Sequence, residues 1–424
     1  MFAYCPYVFA RQAHSQLLLI GFLPWSMLAF HRFIDRASPA RAIECGLVLW
    51  LTGMASAYYG LFAAGMVGLG TIHFAVTRGL WRQPRHWALV ALAATVCIGL
   101  TAPLFLPYLR MQAATGFARP LEESFSANLA AWVISSAWTH RWWAPFLAHT
   151  DKVLFPGIIA TVFGIWGAVI ATRSASNRPR PDAARFTPDV AWFYVITAVA
   201  AFWTSFGPQA GLYALLYHAI PILSFLQAPA RAGIVVTLCL VVLAAPALIR
   251  VMRSPSHMGE RRSAMCAMLV VLVVADLYRA PLRLYEAPPV PTAYRTLAQL
   301  PRGPVIKLPF WPDRPSFDRQ AEYMLASTYH WQPMVNGYSD HIPQDFRDHA
   351  PLLSGFPSRE SFAILETLGV RYAMFYLGMM DDETIGSLVA RLDHDYGSYL
   401  QPLEKDGDVW LYEIVAWPSH ESTQ

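Results

Sequence analysis

Residues 329 to 343, YHWQPMVNGYSDHIP, combine aromatic rings with amide, carboxylate and imidazole groups. Such rings can stack on the face of a pyranose, and such polar groups can bond its hydroxyls. The residues suited to these roles are Trp331, Asn336, Tyr338, Asp340 and His341. Prolines and the Asn336-Gly337 pair predict a loop with a turn. The aromatic rings could equally pin this loop to the membrane part of the chain, so both interpretations stay open.

A second group of chemical interest is a pair of carboxylates, Glu122 and Glu123, close to Arg119. A carboxylate within reach of a sugar hydroxyl can act as its general base, if its pKa lies near the working pH. Arg119 is a further candidate for substrate binding. The pair could instead be an exposed charge pair at the start of a helix.

A third candidate is Arg231, which follows Pro229 where a new apolar run begins. A guanidinium in a partly dry setting suits a phosphate because it offers two parallel donors. An arginine near a helix end also snorkels toward the membrane surface, which explains the residue equally well.

The composition places these residues in a membrane protein. Hydrophobic residues make up 55% of the 424 positions and charged residues only 14%, which is unusual for a soluble chain. The arginines form short clusters between apolar runs and no basic stripe, so nucleic acid is not an expected partner. The five cysteines lie in or beside apolar segments without a CxxC pair, which predicts neither a zinc site nor a disulfide framework.

The apolar runs predict an α-helical polytopic membrane domain with about eight transmembrane helices. Their approximate positions are 15–34, 42–57, 60–77, 87–107, 153–172, 190–206, 231–249 and 264–280. The second and third runs are short, and they could form a tight hairpin or a re-entrant pair. The domain boundary that this pattern predicts divides the chain into residues 1–280 and 281–424.

Arginine clusters occur in every second connection between these runs. Their members are Arg32, Arg36, Arg41, Arg78, Arg82, Arg85, Arg173, Arg178, Arg180, Arg185, Arg250, Arg253, Arg261 and Arg262. By the positive-inside rule these connections are cytoplasmic, so loops 108–152 and 207–230 and everything after residue 281 are expected outside. Residues 1–14 fall outside as well, although they carry no signal-like pattern. We expect preceding helices to be missing from the chain; the alternative is a short tail that the first helix translocates.

The outer segments have their own predicted structure. In loop 108–152 the apolar residues Phe125, Leu129, Trp132 and Val133 recur at roughly helical spacing, which predicts a helix lying on the membrane surface. Residues 281–424 predict a small extracytoplasmic α/β domain with strands in PVIKLPF, RYAMFYLG and VWLYEIV. Helices are expected in PTAYRTLAQL, SFDRQAEYMLASTYHW, SFAILETLGV and DDETIGSLVARLDHDY.

Several of these segments, in this order, carry a resemblance to a known family. They are CPYVFARQAHSQLLLIGFLPWSMLAFHRF, LFPGIIA, FLQAPARAGIVV, VIKLPF, STYHWQPMVNGYS and LETLGVRYAMFY. The chain resembles bacterial multi-spanning GT-C type glycosyltransferases, in a layout similar to protein mannosyltransferases and arabinosyltransferase-like enzymes. The resemblance implies an inner-membrane enzyme that transfers a sugar from a polyprenyl-phosphate donor to an extracytoplasmic acceptor.

The resemblance also implies a catalytic Asp or Glu in the first outer loop, often with a divalent metal. That loop and the helix before it have no counterpart here, so the acidic motif cannot be carried over. Arg231 corresponds to a plausible phosphate-contacting arginine of a late loop. The alternative function is a non-catalytic membrane scaffold or carrier protein in the assembly of cell-envelope polysaccharide. A transporter is disfavoured because the predicted spans carry almost no charge at mid-membrane.

Overall fold

The protein separates into two compact units, Met1–Arg283 and Leu284–Gln424, which we call unit 1 and unit 2. The computed structural model describes residues 1–116, 119–121, 125–142, 152–173, 186–220, 222–223, 226–252, 260–282, 290–339 and 342–418. Each unit has its own apolar interior. The units are therefore described separately.

The described part of unit 1 is built from helices. They are α1 (Pro6–Phe9), α2 (Phe22–Asp35), α3 (Pro39–Ala55), α4 (Ala57–Thr77), α5 (Pro84–Thr115), α6 (Ile158–Arg173), α7 (Pro188–Ser205), α8 (Leu212–Ala219), α9 (Gly233–Met252) and α10 (Glu260–Leu277). Four helical stretches among the described residues are long and apolar enough to cross a membrane: Ser15–Asp35, Ala57–Thr77, Pro84–Thr115 and Pro229–Met252. Unit 1 is therefore a helical unit suited to a lipid bilayer.

A helix lies at each of the eight positions predicted to span, but only four of those positions meet the length and composition of a span. Two others, Ile158–Arg173 and Ser263–Leu277, are shorter apolar helices. The uncertain pair at 42–57 and 60–77 consists of two helices, α3 and α4, which are joined at Ser56. The second of these is a full candidate span.

The outer loop after α5 differs from its prediction in two ways. Helix α5 continues through Pro103 and Pro107 to Thr115 and ends at Gly116, whose φ of 66° favours glycine. The predicted surface helix is wrong, because residues 125–142 contain only short 3₁₀ turns at Ala130–Trp132 and Trp138–His140. Several of their backbone N–H groups form hydrogen bonds with distant parts of the chain.

Three N–H groups of this loop donate to distant carbonyl oxygens and cannot belong to a helix. Phe125 donates to Gln227 at 2.6 Å, Ala127 to Ser205 at 2.8 Å, and Trp138 to Tyr278 at 2.8 Å. Apolar spacing alone could not reveal these tertiary bonds.

At one end of unit 1, a basic residue forms ion pairs with two other helices. Arg78, just after α4, lies 2.8 Å from Asp35 at the end of α2 and 2.7 Å from Asp189 at the start of α7. The predicted cytoplasmic connections after α2 and α4 and before α7 therefore lie at the same end of the helices.

Unit 2 contains a four-stranded sheet flanked by helices. Its elements are α11 (Thr292–Gln299), β1 (Val305–Leu308), α12 (Gln320–Ala326), α13 (Gln344–Leu353), α14 (Arg359–Thr367), β2 (Tyr372–Tyr376), α15 (Asp382–Ala390), β3 (Leu400–Asp406) and β4 (Val409–Ile414). The strand order is β1-β2-β4-β3, with β1 and β2 parallel and the other pairs antiparallel. A small C-terminal sheet domain is confirmed.

Two elements of unit 2 have no counterpart in the prediction. Strand β3, LQPLEKD, is polar, contains Pro402 and has a register shift between Pro402 and Glu404, features that only an edge strand tolerates. Helix α13 contains Pro351. Both patterns lack the regular apolar spacing on which the prediction depended.

Candidate functional site

Arg231 lies in a 3₁₀ turn, Pro229–Ala232, that leads into α9. Its guanidinium carbon lies 4.2 Å from the centre of the Tyr58 ring at the start of α4, so the two side chains stack. Its Nε is buried and has no hydrogen-bond partner among the described residues. A buried donor without an acceptor is costly, so this N–H is suited to donate to an anionic or polar ligand.

Arg119 reaches the same place through one intermediate residue. Its Nη1 donates to Oε1 of Gln227 at 2.7 Å, and the Gln227 backbone N–H donates to the Tyr58 hydroxyl at 3.1 Å. The Ala228 N–H donates to the same hydroxyl at 3.2 Å. Arg231 therefore contacts the Tyr58 ring directly, and Arg119 is connected to the Tyr58 hydroxyl through Gln227.

The N-terminal segment adds two basic residues that sequence reasoning missed. The Arg11 guanidinium carbon lies 5.5 Å from the centre of the Tyr7 ring. Burial lowers the pKa of His14, and the charges of Arg231 and Arg11 lower it further, which places all three groups within electrostatic reach. Within the described part of the chain, neither Arg11 nor Arg231 forms an ion pair with a carboxylate.

The only signal for this cluster in the sequence was the ARQAH spacing, which places Arg11 and His14 three residues apart. Nothing in the local pattern connects it with a turn more than two hundred residues later. The arrangement brings the charges of Arg11 and Arg231, each against a tyrosine ring, within electrostatic reach of His14. Such a group binds an anion with several oxygens, such as a phosphate.

A cavity of about 450 Å³ adjoins this basic cluster. Its lining is almost entirely apolar and comes from α4, α7, α8 and the segment that enters α9. Tyr58, Ala228, Pro229 and Ala232 belong to the lining and also surround Arg231 along the chain or by stacking. The cavity is therefore apolar, and Arg231 lies next to residues of its lining.

No protein-family model matches the chain, and no curated protein matches it either. The chemistry of the site therefore follows from its own residues. Apolar walls beside a buried guanidinium suit an amphiphile with an anionic head and a hydrocarbon tail.

The proposed carboxylates stay predictions. Glu122 and Glu123 lie outside the described residues, between Leu121 and Phe125, and so do Asp340 and His341 of the aromatic loop. Among the residues that the structure describes, no three His, Cys, Asp or Glu side chains lie close enough to hold a metal ion.

The aromatic loop of unit 2 has a structural role along the edge of the sheet. Residues 333–336 run beside β1: Val305 donates to the Pro333 carbonyl at 2.9 Å, and Val335 donates to the Val305 carbonyl at 3.0 Å. The Asn336 side chain bonds both the N–H and the carbonyl of Lys307 and is 4% exposed. Asn336 therefore braces the sheet, and no turn forms at the predicted Asn336-Gly337 position.

The aromatic side chains of this loop are placed differently. Trp331 is 77% exposed and has a φ of 53°, a left-handed value that is unfavourable for a side chain of this size. Tyr338 is also exposed. Unlike Asn336, these two residues keep a surface that a ligand could reach.

Unit 2 also contains a buried lysine that the sequence did not single out. Lys307 on β1 is 0% exposed, and its Nζ lies 4.9 Å from the centre of the Tyr294 ring. Burial lowers the pKa of Lys307 to about 7. Burial, and then the charge of Lys307, lowers the pKa of the neighbouring His330 to about 4.

Proposed function

We propose that this chain is a membrane glycosyltransferase-like protein of GT-C type that binds a polyprenyl-phosphate-linked sugar at the Arg231 cluster. The isoprenoid tail occupies the apolar cavity, and the phosphate lies against Arg231 with Arg11 and His14 nearby. The sugar is then transferred to an extracytoplasmic acceptor. The observation that carries this proposal is the buried Nε of Arg231, which has no hydrogen-bond partner among the described residues and belongs to a residue flanked by Ala230 and Ala232, beside the cavity lining.

The energetics favour a phosphate at this position. A charge-assisted hydrogen bond in a partly dry site is worth roughly 1.5 to 3 kcal/mol. The two guanidinium groups of Arg11 and Arg231 disfavour a positive charge on His14, and an anion bound between them relieves that repulsion. The cavity volume lies within the usual range for ligand pockets, about 300 to 1,000 Å³.

The orientation that we propose places the basic connections in the cytoplasm and unit 2 outside a bacterial inner membrane, with all eight long or apolar helices of unit 1 crossing it. The ion pairs of Arg78 with Asp35 and Asp189 support a common side for three of those connections. The Arg231 cluster lies toward the opposite end of these helices, because Tyr58 is in the first turn of α4 and Arg231 directly precedes α9. The lipid-linked donor would therefore be bound from the outer leaflet.

The transfer step needs a base for the acceptor hydroxyl, and we assign that role to Glu122 or Glu123. As the acceptor oxygen bonds to the anomeric carbon, its proton passes to the carboxylate and the bond from carbon to the phosphate oxygen breaks. The polyprenyl phosphate leaves as an anion held by Arg231. Arg119, which is close to this pair in the chain, anchors the loop through Gln227.

A second candidate function is a non-catalytic carrier or scaffold that holds the same lipid. The observation in its favour is that no carboxylate occurs among the described residues that line the cavity. Such a protein would use the cavity and the arginines without a base.

A transfer assay separates the two functions. The purified chain, in lipid nanodiscs, is given a polyprenyl-phosphate sugar with a radiolabel in the sugar and an envelope polysaccharide acceptor. The enzyme interpretation predicts labelled acceptor, with transfer abolished and donor binding nearly intact when Glu122→Gln and Glu123→Gln are combined. Donor binding without transfer by the parent chain supports the carrier. Absence of donor binding overturns both.

A further inference from the structure

A buried histidine in unit 1 connects a serine and an aspartate that come from distant parts of the chain. His140 Nδ1 lies 2.8 Å from the Ser135 hydroxyl, and His140 Nε2 lies 2.9 Å from Oδ1 of Asp276. His140 and Asp276 are each less than a tenth exposed, whereas Ser135 is only partly buried. Nucleophile, base and orienting carboxylate within hydrogen-bond reach are the geometric requirement for an activated serine.

Asp276 is fixed in place by two helices, α10 and α6. Asp276 lies in the last turn of α10, and its two oxygens accept the backbone N–H groups of Ile158 at 3.1 Å and Ile159 at 3.0 Å. These groups begin α6, so the carboxylate occupies the positive end of a helix. This arrangement fixes the direction in which Asp276 faces His140.

The hydrogen bonds define the roles of the two ring nitrogens. With Nε2–H donated to Asp276, Nδ1 is left as an acceptor for the Ser135 hydroxyl. The direction of proton transfer is therefore from Ser135 to His140. Among the described residues the Ser135 backbone N–H has no acceptor, so it remains able to donate to an oxyanion that forms beside its own side chain.

A surface cavity adjoins the 3₁₀ turn that carries His140. An open cavity of about 410 Å³ is lined by Trp138, Thr139, Arg141, Ala280 and Pro281, and the first two of these directly precede His140. The Arg141 guanidinium carbon lies 5.4 Å from the centre of the Trp138 ring. The apolar helix α10 ends and the apolar helix α6 begins at this point, where tryptophan and arginine suit a membrane–water interface.

We propose that Ser135, His140 and Asp276 form a second catalytic site, separate from the Arg231 cluster, that cleaves or transfers acyl groups from lipid esters with an anionic head group. The Ser135 Oγ adds to the ester carbonyl carbon while its proton passes to Nδ1 of His140. The bond from carbon to the alcohol oxygen then breaks, and the alcohol takes the proton from His140. Water, or an acceptor alcohol, releases the acyl group from Ser135 by the same steps in reverse.

Arg141 gives the site its preference for an anionic head group. Its side chain is exposed at the cavity and can pair with a lipid phosphate. Esters suit the serine because formation of the acyl-serine exchanges one ester for another of similar energy.

The test is covalent labelling of the full chain in nanodiscs with an alkyl fluorophosphonate, which reacts with activated serines. The labelled residue is located by mass spectrometry. Label on Ser135 of the parent chain is expected, and no label, or label only on other serines, overturns the proposal. Because this measurement uses the unsubstituted chain, its result does not depend on whether a variant folds.

Variants then separate catalysis from structure. Ser135→Ala should abolish labelling, whereas Ser136→Ala should leave it unchanged because the Ser136 hydroxyl donates to the Pro6 carbonyl at 2.9 Å. His140→Gln should slow labelling about 100-fold or more, as expected for loss of a general base. Equal labelling rates in His140→Gln and the parent would mean that the triad is a structural network, and the proposal would fall.

Discussion

At the scale of single residues, Lys307 gives the clearest link between burial and stability. It lies inside unit 2 under the rings of Tyr294 and Tyr323, and its Nζ bonds only the Tyr323 carbonyl, at 3.4 Å, within the described part of the chain. No described carboxylate compensates its charge. Burial of an ammonium group without a counter-ion disfavours the protonated form.

We predict that unit 2 becomes more stable as pH rises from about 7 toward 10.5. Burial lowers the pKa of Lys307 from 10.5 to about 7, so between these values the unfolded chain holds the extra proton. The free energy of unfolding then rises by up to about 1.4 kcal/mol per pH unit and falls again as pH drops toward 7. Hydrogen-exchange protection factors of β1 and β2 in the full chain measure this slope.

Lys307→Met should remove that pH dependence and raise protection at pH 7, because methionine fills similar space without a charge. Lys405→Met is the matched control, since Lys405 is exposed on the edge strand β3 and its loss should leave the slope unchanged. The same slope in the parent chain and in Lys307→Met would contradict the assignment.

Two residues of the candidate site were selected from the sequence, Arg119 because it lies close to Glu122 and Glu123 and Arg231 because it precedes an apolar run. The structure stacks Arg231 on the Tyr58 ring and connects Arg119 to the Tyr58 hydroxyl through Gln227. Arg11 and His14 were missed because only folding brings the N-terminal segment near α9. Asn336 was assigned to a turn from its Asn-Gly pair, but its amide matches the open edge of β1, a partner that local sequence does not show.

At the scale of elements, the packing of α6 on α9 depends on two glycines. Gly164 and Gly167 lie on the face of α6 that meets α9. A Cβ at Gly164 would lie 2.8 Å from the Leu240 carbonyl oxygen, and a Cβ at Gly167 would overlap the Leu243 carbonyl oxygen. Small residues allow this close backbone approach, which is a common basis of helix association in membranes.

Gly167→Ala should therefore separate α6 from α9 and destabilise unit 1 by about 1 to 3 kcal/mol, as overpacking usually does. Gly99→Ala, in α5, is the matched control because a Cβ there meets no atom within 4 Å. Thermal unfolding in detergent should show a lower midpoint for Gly167→Ala only. Equal midpoints for the two variants would show that the helices are not in close contact.

Element type was predictable where a segment has one strong pattern. Long apolar runs predicted eight of the ten α-helices described in unit 1, all but α1 and α8, and the buried apolar segments β1, β2 and β4 were predicted as strands. The helix predicted around Phe125 and Trp132 does not form, because backbone N–H groups of this loop donate to distant carbonyl oxygens. Strand β3 was missed because its pairing with β4, rather than its own polar sequence, makes it a strand.

At the scale of the whole molecule, the charge pattern predicts that unit 2 is extracytoplasmic. A reporter enzyme active only outside the cytoplasm, fused after Tyr285, should be active, because the arginine-bearing connections fix the alternation of the helices. The same reporter fused after Met258, in a basic connection, should be silent. An inactive fusion at Tyr285 together with an active one at Met258 would reverse the proposed orientation.

The central claim is that the Arg231 cluster and its cavity hold an anionic polyprenyl lipid. The most direct measurement is the dissociation constant of polyprenyl phosphate for the purified chain in detergent, determined by native mass spectrometry. Arg231→Ala should weaken binding about ten-fold or more. The lost charge-assisted hydrogen bond is worth roughly 1.5 to 3 kcal/mol, and about 1.4 kcal/mol corresponds to a ten-fold change in affinity. Arg36→Ala, at the far end of α2, should bind like the parent. Equal affinity of the Arg231→Ala variant and the parent chain would contradict the claim.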